Sequence, residues 1–276
     1  MDLGLGLPAV VPGVPASTLA DWAPAVEAAG FAGTAVLDRI AYPSYDPLVT
    51  LAMVAARTTR LRMTTTALLA PARGPAAVLA KQAMSLSQLA GGRFTLGMAI
   101  GARPEDYQAS GVPFGDRGRR MERLIGELRS NWRSGPPGEP PALLLGGHSD
   151  RAVHRAARLA DGWICGGTSR QGYHEHAERA RKAWADAGRS GPPRLVALRF
   201  FALGPEADDS VRATMGAFYA NTGPYLAQAI AGTLSDPAAV RAVVAEHRDA
   251  GCDELIFMPC SAAPDQVNRL ADAVLA

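Results

Sequence analysis

Lysine is nearly absent from this 276-residue chain: Lys81 and Lys182 stand against 26 arginines. That bias fits a GC-rich coding genome, and it leaves planar donor forks available for anionic ligands. Charged residues make up 20% and balance to +2, which excludes the one-signed surface of a nucleic-acid binder. Cysteine is scarce as well. Cys165, Cys252 and Cys260 are odd in number and lack CxxC spacing, which argues against a disulfide framework or zinc knuckle and fits a reducing cytoplasm. No apolar run approaches the roughly 18 residues of a membrane span, and MDLGLGLPAV lacks the basic segment of a signal peptide. The chain therefore reads as soluble and cytoplasmic. No GxSxG elbow, P-loop or HExxH occurs. His174 and His176 are two apart and fall on different helix faces, so no metal site is expected.

What is present is a rhythm. Short β-type runs at Leu3–Leu7, Thr34–Leu37, Leu61–Leu69, Phe94–Ile100, Ala142–Leu145, Trp163–Cys165, Leu195–Leu203 and Glu254–Met258 alternate with longer helical patterns. Ser17 is placed to cap the first helix, Asp46 opens the second, and Gly91-Gly92 closes the third. A β/α barrel of eight units occupies about 250 residues as one domain. A doubly wound sheet calls instead for fewer strands and a glycine-rich first turn, and PAVVPGVPAS has no GxGxxG. The expected fold is α/β, a single (β/α)8 TIM barrel over residues 1–276.

In a barrel, function sits on the loops that follow the strands. The most informative of these is Gly146-Gly147-His148-Ser149, where a buried strand runs into glycines and a helix starts at once. Glycines let a ligand approach the backbone, and a helix N-terminus offers free amides and a favourable dipole to an anion. A phosphate there meets the amides around Gly147–Asp150 and the Ser149 hydroxyl; as a purely structural feature, Ser149 is simply a helix cap. Asp38, Arg39, Tyr42, Arg103, Asp106 and Tyr107 cluster on two neighbouring mouth loops. Asp38 and Tyr107 are the first proton-donor candidates, while Arg39, Arg103 and Tyr42 are candidates for substrate contact.

Four segments together carry a family resemblance: LLAPARGPAAVLAKQAMSLSQLAGGRFTLGMAIG, ASGVPFGDRGRRMERLI, the Gly146–Gly167 stretch, and GCDELIFMPC with its closing helix. In this order and spacing they resemble the luciferase-like oxidoreductases, which use reduced flavin or the deazaflavin F420. The resemblance implies a bulged third strand with a non-prolyl cis peptide at Thr65, Thr66 and Ala67, backing the cofactor ring. It implies that Asp38, Ile100 and Gly101 lie near that ring and that Gly146, Gly147, His148 and Ser149 hold the cofactor phosphate. It also implies a homodimer, for which the apolar stretch Phe218–Ile230 is available.

Two positions depart from the pattern. Members that oxidise alcohols or sugar phosphates carry a His after the acidic residue and a Glu at the end of the fourth strand; here these are Arg39 and Ala102. The acid/base pair for alcohol oxidation is therefore missing. The expected activity is F420-dependent hydride transfer to or from a small organic substrate. The alternatives are an FMNH2-dependent monooxygenase served by a separate reductase, and a non-catalytic ligand-binding or partner subunit. The short Ser134–Pro141 loop predicts a comparatively open mouth.

Overall fold

The computed structural model describes residues 1–135, 138–167 and 170–275. Eight parallel strands close into a barrel in sequence order: β1 (Asp2–Leu5), β2 (Gly33–Val36), β3 (Arg62–Thr65), β4 (Phe94–Met98), β5 (Ala142–Gly146), β6 (Gly162–Cys165), β7 (Arg194–Phe201) and β8 (Glu254–Pro259). Around them lie α1 (Ala16–Ala28), α2 (Pro47–Arg57), α3 (Ala76–Leu89), α4 (Pro104–Ala109), α5 (Arg117–Ser134) and α6 (Asp150–Leu159). The circuit continues with α7 (Arg170–Asp186), α8 (Ala207–Phe218), α9 (Pro224–Ala231), α10 (Pro237–Asp249) and α11 (Asp265–Val274). All eight expected strands are present. Pro136 and Pro137 of the expected stiff loop, and Thr168 and Ser169 of the mouth segment after β6, lie outside the described residues.

The strands are buried on both faces, so their apolar runs serve two cores at once. Along β7, Leu195, Ala197 and Phe201 join the large cluster under the helices, whereas Val196, Leu198 and Phe200 join the one that fills the barrel. Helix starts follow local chemistry. Asp46 accepts from the amides of Leu48 and Val49, with Pro47 at the first helical position. The expected Ser17 cap is corrected: α1 begins at Ala16, after Pro15, with no side-chain cap.

The third strand is not a simple rung. Thr64 pairs with Thr95, and the next contact between the strands joins Leu68 to Met98. Four steps along one strand thus answer three along the other, which is a bulge. Gly97 makes it possible. A Cβ there would stand 2.1 Å from the Thr65 carbonyl oxygen. The Thr65 hydroxyl donates to the Gly97 carbonyl at 2.8 Å and accepts from its amide at 2.9 Å.

The short loop predicted a comparatively open mouth, and one side of it carries a cover. α8 supplies Val211, Met215 and Phe218, one helical face, to the cluster that contains Leu198, Phe200, Met258 and Cys260. It therefore covers the β7–β8 side of the barrel top, with the Thr214 hydroxyl donating to the Cys260 carbonyl at 2.7 Å. The cover comes from the segment after β7 rather than from the shortened loop. Phe218 is buried, and Leu226, Ala229 and Ile230 pack toward the same cluster, while no residue of α9 is fully buried and Tyr225 stays exposed.

Gly97→Ala is expected to cost more than about 2 kcal/mol, because overpacking a fixed backbone contact has no side chain to move aside. The midpoint of urea unfolding checks this; an unchanged midpoint would show that the bulge relaxes freely.

Candidate cofactor site at the C-terminal mouth

The bulge carries a cis peptide between Thr66 and Ala67, where the family resemblance implied one. Thr65 and Thr66 are buried, while Ala67, Ile100, Gly101, Gly146 and Gly147 are half-buried. Side by side at the ends of β3, β4 and β5, these positions form a strip, the trough, on the side of the mouth away from β7 and β8.

At one end of the trough the chain turns from β5 into α6. Gly147 has φ of +131°, and a Cβ on it would come within 2.7 Å of the Ala152 Cβ. The Trp163 indole donates to the Gly147 carbonyl at 2.9 Å, which turns that oxygen away from the amides that follow. Ser149 is indeed the N-cap, accepting from the Ala152 amide at 3.3 Å. The amides of Asp150 and Arg151 have no acceptor among the described residues and remain open to an anion. Beside them, Arg155 is buried and uses its Nε to bond Glu122 at 3.2 Å.

His148 lies in this turn. Its ring donates through Nε2 to the Gly166 carbonyl and sits 5.0 Å from the His176 ring, with Trp163 beside both. The residue as a whole is exposed, yet its ring is packed, and burial is the main cause that holds its pKa below the ordinary histidine value. His176 is likewise held low, by burial first and then by the charge of His148.

The proton-donor candidates are engaged elsewhere. Asp38 accepts from Arg73 through both carboxylate oxygens, at 2.9 and 2.6 Å, and from the Leu69 amide at 2.7 Å. So held, it is an acceptor that braces the segment after the bulge. Tyr107 is buried, donates its hydroxyl to the Ile100 carbonyl, and is pushed up to about 12 chiefly by burial. It fixes the end of β4 and points no proton into the trough.

The substrate candidates are committed in the same way. Arg39 bonds Asp106 at 2.7 Å, Glu105 at 3.1 Å and the Phe218 carbonyl at 3.3 Å. Arg103 bonds that same carbonyl and lies over the Phe218 and Tyr219 rings. Tyr42 donates to the Val10 carbonyl at 2.9 Å and packs edge-on against Phe218. Together they clamp the C-terminal end of α8 across the mouth.

Sequence reasoning missed what lies under α9. A cavity of about 600 Å³ is bounded by Leu198, Phe200, Tyr219, Tyr225, His176 and the buried Arg199. The signal was the aromatic run FYANTGPY after β7. Tyr225 donates to the Gly167 carbonyl at 3.2 Å and so reaches from α9 to the end of β6. Among the described residues no group of three or more His, Cys, Asp or Glu is placed to hold a metal ion, and no helix is long and apolar enough to cross a membrane.

The frame is a closed parallel barrel whose turn from β5 into α6 ends on free helix amides. Residues 3–268 match the luciferase-like monooxygenase model, and the chain belongs to that family of oxidoreductases. An uncharacterized protein of Mycobacterium tuberculosis is 35% identical over 210 residues, 62% of this chain and 72% of its own length. Among solved structures, monooxygenase RslO1 from Streptomyces bottropensis superposes with a TM-score of 0.77 at 19% identity, covering 100% of this chain and 99% of its own. An F420-dependent secondary alcohol dehydrogenase with a bound F420-acetone adduct gives 0.83 at 14% identity, covering 99% and 98%. At these identities the structural likeness is one of fold.

Because both imidazoles resist protonation in the folded state, their unfavourable contribution is absent well above the unfolded histidine value of about 6.5 and grows as pH falls through it. The melting temperature is therefore expected to drop between pH 7.5 and 5.5, and the drop is expected to shrink in His148→Gln/His176→Gln. An identical slope in wild type and variant would remove this pair as its cause.

Proposed function

We propose that this chain is an F420-dependent oxidoreductase acting on a small, largely apolar organic molecule. The observation that carries the reading is the continuity of the glycine-lined trough with the open amides at the start of α6. This run is suited to a flat ring followed by a phosphate. The cradle at Gly147 and the buried guanidinium of Arg155 fit that group. The deazaflavin supplies a hydride, or accepts one, when bound.

The protein's part is orientation and exclusion of water. Thr65, Thr66 and Ala67 present backbone to one face of the trough. Ile100 and Gly101, braced by Tyr107, form its floor at β4, and Gly146–Ser149 receive the phosphate. Asp38 and Arg73 act as positioning residues for the segment after the bulge. The substrate position is the cavity under α9, with Phe200, Tyr219 and Tyr225 as its aromatic wall. Arg39, Arg103 and Tyr42 hold the cover rather than the substrate. The absence of a His–Glu pair at Arg39 and Ala102 supports a reaction other than alcohol oxidation.

Titration of the purified protein with F420 and with FMN tests this. F420 is expected to bind, with an affinity reduced about tenfold or more in Gly147→Val, whose side chain meets Ala152 and distorts the phosphate turn. Tight FMN binding without F420 binding would favour the FMNH2-dependent monooxygenase reading, with its separate reductase. Binding of neither would favour the non-catalytic one.

We also propose a homodimer, through a face other than the Phe218–Ile230 stretch. Val49, Val78 and Leu89 are 72%, 52% and 71% exposed, and with Leu48, Ala52 and Ala77 they line one shallow surface on α2 and α3. Exposed apolar surface gathered in one place is characteristic of protein contact. Val49→Glu/Leu89→Glu is expected to halve the mass seen by light scattering and keep the circular dichroism spectrum. A wild-type monomer, or a variant that stays dimeric, would exclude this face.

A further inference from the structure

We propose that the substrate is a flat aromatic molecule bearing a neutral carbonyl oxygen, and that the Nε2–H of His176 receives this oxygen in the cavity under α9. The inference rests on the substrate position proposed above and deepens it, naming a chemical class and the residue that selects it. Much of the cavity wall is aromatic: Phe200 from β7, Tyr219 at the end of α8 and Tyr225 from α9. Phe200 and Tyr219 meet edge to face with centroids 6.1 Å apart, and Tyr219 and Tyr225 at 5.2 Å. Leu198 adds to the same wall, and a volume of about 600 Å³ suits a small-molecule ligand. Such rings favour a flat aromatic guest.

The phenolic protons of this wall are spent within it. The Tyr219 hydroxyl donates to the Tyr225 hydroxyl, which donates in turn to the Gly167 carbonyl at 3.2 Å. His176 is different. Its half-buried ring lines the cavity, and Arg179 donates through Nη2 to its Nδ1. A guanidinium has no acceptor to offer, so Nδ1 carries the lone pair and the ring proton sits on Nε2. Arg179 is itself anchored by the His148 carbonyl and by Asp150 at 3.2 Å, which fixes that tautomer from behind. Nε2 makes no hydrogen bond among the described residues.

Burial, then the charges of His148 and Arg179, hold His176 below the ordinary histidine value, so at neutral pH it offers this donor without a charge. A neutral donor in an aromatic cavity matches a neutral acceptor, because a carboxylate would give up its hydration for a single hydrogen bond. A cation is matched worse still. Among the described residues no Asp or Glu lines the cavity, whereas the buried Arg199 does.

Calorimetric titration of the purified chain with β-substituted naphthalenes tests this. The probes are acetonaphthone, its hydrocarbon counterpart isopropenylnaphthalene, naphthoate and naphthylmethylammonium. Wild type is expected to bind the ketone at least about fivefold more tightly than the hydrocarbon, and the two ions more weakly than the ketone. In His176→Phe the ketone's advantage is expected to vanish while hydrocarbon affinity stays within about twofold. His176→Gln keeps a neutral N–H and is expected to restore part of the advantage. Equal binding of ketone and hydrocarbon by wild type would overturn the carbonyl class. An advantage that survives in His176→Phe, or hydrocarbon binding lost there and in His176→Gln, would overturn the assignment to His176. Tightest binding by naphthoate, or ammonium binding equal to that of the ketone, would overturn the neutral class. Binding of no probe would overturn the cavity as a seat for an aromatic molecule. These titrations contain no cofactor, so such results leave the F420 reading to its own titration.

Discussion

Because Gly97 lacks a side chain, the Thr65 carbonyl occupies space that a Cβ would claim. The Thr65 hydroxyl is then locked to both main-chain groups of Gly97. From that contact the third strand leaves its regular register, gains one residue and returns at Leu68. The displaced backbone at Thr66 and Ala67 is what borders the trough. The segment that follows is then secured by Asp38 on the Leu69 amide and by Arg73 on Asp38 and Asp46. One close approach between neighbouring strands thus sets the position of backbone that no side chain could supply.

The charged residues of the mouth serve mainly as fasteners. Asp106 accepts from Arg39 and from the amides of Ile40 and Ala41, which ties the loop after β2 to α4. Two guanidiniums then converge on the Phe218 carbonyl, at the negative end of α8. Truncating one partner of such a part-buried network leaves the others uncompensated, so these residues would look essential in any activity screen. Their contribution would come through the shape of the mouth.

Much of the barrel was legible because each β/α unit carries its own local signals. Asp46 before Pro47 and Ser149 before α6 mark helix starts through bonds to amides only two or three residues away. The turn from β5 into α6 was legible for the same reason, since Gly146–Ser149 combines positive φ and a free helix end within four residues. Side-chain commitments were not legible. Asp38 meets Arg73 across 35 positions and Arg39 meets Phe218 across 179, and no local pattern records such distances. The cover was missed because α8 read as an ordinary outer helix and Phe218–Ile230 as an apolar contact stretch, and only the packed structure shows which way Val211, Met215 and Phe218 face.

The cover lies to one side only, and this gives the trough a handedness. Under the proposed function, a planar ring seated there would have backbone from the bulge against one face and the chamber beneath α9 toward the other. Anything exchanged between ring and substrate then passes through a single face. A prochiral acceptor held by Phe200, Tyr219 and Tyr225 would accordingly emerge as one enantiomer, a selectivity set by where the barrel is closed rather than by any reactive side chain.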